Sequence, residues 1–70
     1  MRTFYQDMIT ERLRCFPNQA RHVEAWMRLE RGTLDSLDRA TFAREARIAF
    51  ECVLASTEEQ NESLAQSYGL

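Results

Sequence analysis

Apolar residues recur three and four positions apart along most of the chain, and no stretch alternates strictly between apolar and polar. That period predicts helices and no strands. In a first helix, expected over about Phe4–Phe16, steps of about 100° per residue put Phe4, Tyr5, Met8, Ile9, Leu13, Cys15 and Phe16 on one half of the cylinder. Arg12 interrupts that half. Thr3 and Gln6 have the spacing of a capping box, in which the hydroxyl accepts from an orphan amide and the glutamine reaches back.

Pro17-Asn18 ends this helix, and Asn18 is the expected cap of a second over about Gln19–Arg31, stopped by Gly32. Its core stripe is Ala20, Val23, Trp26 and Met27. Glu24 and Arg28 stand four apart on the opposite side, in the favourable order for an ion pair. Residues 32–37 form a connection whose Leu34 and Leu37 point under the bundle. Asp38 then caps a third helix over about Arg39–Ala55. Phe42, Ala46, Ala49 and Val53, with Ala43, Phe50 and Leu54, form its broad stripe, while Ile48 and Cys52 lie one turn apart away from it. Ser56 with Glu59, or Thr57 with Gln60, opens a last helix that reaches about Ser67 and stops at Gly69. Its apolar face is thin: Leu64, Ala65 and Tyr68.

These elements predict a single all-α domain over 1–70, a small antiparallel bundle of three main helices plus a short fourth C-terminal helix. The expected core is Phe4, Met8, Ile9, Val23, Trp26, Met27, Leu34, Leu37, Phe42, Ala46, Ala49, Phe50 and Val53. At 70 residues such a fold buries only about 60% of the surface of its unfolded chain, so its core is marginal and self-association would supply missing burial.

Composition narrows the function by exclusion. Cys15 and Cys52 show no metal-ligand spacing and read as reduced, packed thiols. No apolar run suits a membrane span or a secretory signal, so the expected compartment is the cytoplasm, where the Asn61-Glu62-Ser63 sequon carries no weight. The net charge of −2 argues against a dedicated phosphate-backbone binder. It is unevenly spread, because all nine arginines lie in residues 1–47 and residues 48–70 carry four glutamates and no base. No phosphate loop, nucleophile elbow or zinc-helix motif is present, so no enzyme activity and no cofactor or metal is expected.

Four positions stand out as candidates for binding a partner. Arg12 lies within an apolar face, either snorkelling to water or paired with Glu30 or Asp35. His22, the lone histidine, sits one turn before Trp26 and reads as a boundary residue beside it. Ile48 and Cys52 are either covered by the last helix or left as an exposed apolar strip, the mark of a partner surface. The leading expectation is therefore a protein-interaction or regulatory module, with a homodimer as one form. The alternative is nucleic-acid binding through Arg39, Arg44 and Arg47 of the third helix, offset there by Glu45 and Glu51. The connection before that helix is longer than the tight turn of a helix-turn-helix.

Overall fold

The structure is a computed structural model, which describes residues 4–31 and 36–70, and within them the side chains of all but Tyr5, Gln6 and Arg31. Four helices follow one another: α1 (Phe4–Cys15), α2 (Pro17–Arg31), α3 (Arg39–Ala55) and α4 (Glu58–Ser67). Among the described residues there is no strand. The expected Thr3–Gln6 box, the stop at Gly32, Leu34 and the Arg12 partner Asp35 all lie outside the described residues.

Helix ends follow local chemistry. Asp38 caps α3 by accepting from the Thr41 amide at 2.8 Å. Thr57, one of the two expected options, caps α4 in a reciprocal box: its hydroxyl accepts from the Gln60 amide at 3.1 Å, and the Gln60 side chain accepts from the Thr57 amide at 3.0 Å. At the far end Gly69 takes φ 74°. Its amide donates to the Gln66 carbonyl at 3.0 Å, and that of Leu70 to the Ala65 carbonyl at 2.9 Å, a Schellman ending. The expected start of α2 needs correction. The helix begins at Pro17 rather than Gln19, because proline tolerates the first helical position, where its missing N–H is not needed.

α2 is the central helix, with α1, α3 and α4 all packed on it. The first turn of α2 (Pro17, Asn18) lines one groove with the end of α3 (Val53, Leu54), so these two helices run antiparallel. Ile9, Val23, Met27, Ala49, Phe50 and Val53 form the core, with Leu13, Trp26, Leu37 and Ala46 packed against it.

Three expected core residues lie outside it. Phe4 is 80% exposed, Met8 52% and Phe42 45%. On α1 the apolar half-cylinder is wider than the strip its neighbours can cover. Ile9 and Leu13, about 40° apart, take that strip, and Phe4, Met8 and Cys15 lie more than about 90° from its centre. Phe42 sits in the first turn of α3, ahead of the four α3 residues that reach the core. On α2 the buried alanine is Ala25, not Ala20, since α2 carries neighbours on both sides. Glu45, named above only for its charge beside the α3 arginines, is buried on the same face as Ala49.

Candidate functional site

The most organised group of side chains lies where α4 crosses α2. Arg21 and His22 leave α2 on its α4 side, and Trp26 follows one turn later. Glu62 of α4 receives two of them on one oxygen: Arg21 Nη1 donates to Oε2 at 2.7 Å, and His22 Nε2 lies 3.3 Å from the same atom, donating when it carries the proton. Gln66 Nε2 donates to the other oxygen at 3.3 Å. The Arg21 guanidinium and then the His22 ring hold the Glu62 carboxyl below its ordinary value.

Asn61, the preceding residue, is only 3% exposed and uses both ends of its amide. Its Oδ1 accepts from the Trp26 indole N–H at 2.8 Å, and its Nδ2 donates to the Val53 carbonyl of α3 at 3.0 Å. Helices α2, α3 and α4 are thus joined through one amide and one carboxylate. Chemically the group is closed. Every side-chain nitrogen and oxygen that is fully buried among the described residues has a partner, and no three of His, Cys, Asp and Glu among the described residues converge to hold a metal. The arrangement ties α2, α3 and α4 to one another.

His22 is therefore not a boundary residue. At 3% exposure it is buried, and its acidic partner comes from 40 positions away in sequence. As a sequon Asn61 carries no weight, yet its position in the sequence holds a readable signal. It stands one turn before Ala65 on the thin apolar face of α4, where a polar residue must find partners if buried.

The other candidates are separate from this group. Arg12 is exposed and does not pair with Glu30, while Asp35, the other expected acid, lies outside the described residues. Its Nε donates to Gln19 Oε1 at 3.3 Å, and its guanidinium lies 4.8 Å from the centre of the Phe16 ring. Ile48 is exposed at 39%, and Cys52 is half-buried. α4 lies along α2 and reaches α3 near its end, through the bond to Val53, so it does not close over Ile48. Both cysteines are free thiols, but Cys15 is exposed rather than packed, because it lies on the side of α1 turned away from the core. Arg39, Arg44 and Arg47 are all exposed, yet they fan over about 140° of α3 and make no single stripe. Among the described residues no helix is long and apolar enough to cross a membrane.

No protein-family model, curated protein or solved structure matches this chain.

Proposed function

We propose that the chain is a small helical protein-interaction module of the cytoplasm, working through an outward apolar helix face, with a second copy of itself as its first partner. The observation that carries this reading is the outer side of α1, where Phe4 and Met8 stand one turn apart at 80% and 52% exposure. Single apolar residues scattered on a surface need no explanation, but a large aromatic left almost bare beside a methionine is costly for a monomer. On α3, Phe42, Ile48 and Leu54 are further exposed apolar positions. The core gives the reason to associate. Three of its eight buried hydrophobic residues among those described are alanines, so a further apolar contact has much to add.

Sedimentation velocity over a wide concentration range tests the proposal. Wild type is expected to dimerise with concentration, and Phe4→Ser with Met8→Gln to return it to a monomer. Ile48→Glu with Cys52→Ser asks whether the α3 strip takes part. A wild-type chain that stays monomeric at every concentration sinks the self-association reading. No catalytic role is proposed. Nucleic-acid binding through Arg39, Arg44 and Arg47 has less support, because their fan over α3 does not match one line of phosphates.

A further inference from the structure

One residue, Phe16, separates α1 from α2. Its amide donates to the Arg12 carbonyl at 2.9 Å, closing α1, and its carbonyl accepts from the Gln19 amide at 2.9 Å, opening α2. Two helices therefore meet with no loop between them. The cause of the break is Pro17. A proline pushes the residue before it out of helical backbone, lacks the N–H that Leu13 would need, and sets its ring against that same carbonyl. Nothing else nearby stops a helix: no glycine lies between Phe4 and Arg31, and Leu13, Arg14, Gln19, Ala20 and Arg21 are ordinary helix formers.

Without the proline, the backbone from Phe4 to Arg31 can run as one helix. At 1.5 Å per residue it would be about 42 Å long, longer than the 34 Å greatest extent of the molecule. Such a helix carries Ile9 and Leu13 away from their own core. The slot they leave is walled by Val23, Met27, Phe50 and Val53. Its shape is already complementary to α1, so the occupant that fits it is the α1 of a second copy, the geometry of an exchanged dimer. In the wild-type chain the tether keeps its own α1 at high local concentration, and the break at Phe16 aims it at the slot.

We infer that the Phe16–Pro17 junction is a lock that holds α1 on its own core, and that releasing it turns the α1 slot into an interface for α1 of a second copy of the chain. This does not rest on the outward-face dimer proposed above, which uses Phe4, Met8 and Ile48 rather than Ile9 and Leu13.

The test is Pro17→Ala in the full chain, made on the Phe4→Ser, Met8→Gln background so that the outward face is disabled. The expected result is a doubled mass by sedimentation and a gain in helicity by circular dichroism. In a refolded mixture of differently isotope-labelled chains, Ile9 should then contact the Val23–Phe50 cluster of the other chain. Pro17→Gly relieves the same steric block but disfavours a continuous helix, and is expected to stay monomeric. A Pro17→Ala chain that is monomeric overturns the inference. So does one that fails to fold, because exchange keeps every core contact, or a dimer whose Ile9 contacts lie within one chain.

Discussion

Asn61 on α4 donates its side-chain amide to the backbone carbonyl of Val53 on α3, at 3.0 Å and out of contact with water. Val53 is the third residue from the end of α3, and its carbonyl is one of those for which a helix has no internal donor. The Thr57 amide, four positions on, is already donated to the Gln60 side chain of the capping box. The end of one helix is thus satisfied by the side chain of the next, and the same side chain holds the indole of Trp26 on a third.

Asn61→Ala should therefore cost more than an ordinary surface change. It leaves a buried carbonyl without a donor and an indole N–H without an acceptor. Each such group costs about 1–3 kcal/mol when buried, and the half-buried indole can recover part of that from water. A loss of about 2–3 kcal/mol in urea denaturation is expected. Asn61→Asp keeps the acceptor for Trp26 but sets a carboxylate against the Val53 carbonyl, so its deficit should shrink as the pH falls and the acid is neutralised. A change below about 0.5 kcal/mol for Asn61→Ala, the range of neutral surface substitutions, would remove the amide from its proposed central place.

The Glu62 carboxyl sets a pH dependence of definite sign. Its folded pKa lies below the ordinary 4.5, first because Arg21 donates to it and then through its hydrogen bond with the His22 ring. A carboxyl depressed in the folded state contributes stability above its unfolded pKa and loses it as pH falls through the folded value. The Asp38 cap, lowered by the Thr41 amide, acts in the same direction. Stability should hold from neutrality to about pH 5 and fall below 4.5. In Glu62→Gln the acid-side fall should be shallower, with Asp38 as the remaining contributor. Urea midpoints at several pH values between about 3 and 7 would show this, and identical slopes for the two chains would contradict it.

Helix ends were legible because capping is local chemistry: Asp38, the Thr57–Gln60 pair and Gly69 act within a few residues of themselves. Pro17 marks the boundary in the sequence, but its fitness for the first helical position starts α2 at Pro17, two residues before Gln19. Periodicity marks which residues are apolar and not which neighbour covers them. The split of α1 into a buried Ile9–Leu13 side and a bare Phe4–Met8 side therefore needed the packing. The cluster of Arg21, His22, Trp26, Asn61 and Glu62 was the least legible part. Its bonds join residues 35 to 41 positions apart, and no pattern within one helix announces them. What could be read was the anomaly: a lone histidine and an asparagine, each at the edge of an apolar face.

Gly69→Ala isolates a backbone effect. At φ +74° an L-residue is strained, while a Cβ built there meets nothing within 4 Å. Any cost must then come from the left-handed conformation and not from collision, about 1–2 kcal/mol. Asparagine, which tolerates that region better, should lie between glycine and alanine. If alanine were neutral in thermal denaturation, the Schellman ending would be contributing little and α4 would be held from its other end.

The last prediction separates the two function classes by their dependence on salt. A protein that reads nucleic acid through arginines releases counterions from the phosphates, so its affinity falls by orders of magnitude between about 50 and 200 mM salt. Arg39, Arg44 and Arg47 are exposed but diverge around α3, and the chain as a whole is anionic. Too few of them face one direction to follow a backbone. No retention of duplex DNA or single-stranded RNA is expected even at about 50 mM salt, and replacing all three arginines by glutamine should leave that result unchanged. Binding that is present at low salt, falls steeply as salt is added and disappears in the triple variant would reverse the ranking. The outward apolar face of α1 would then need another explanation, because counterion release makes no use of Phe4 or Met8.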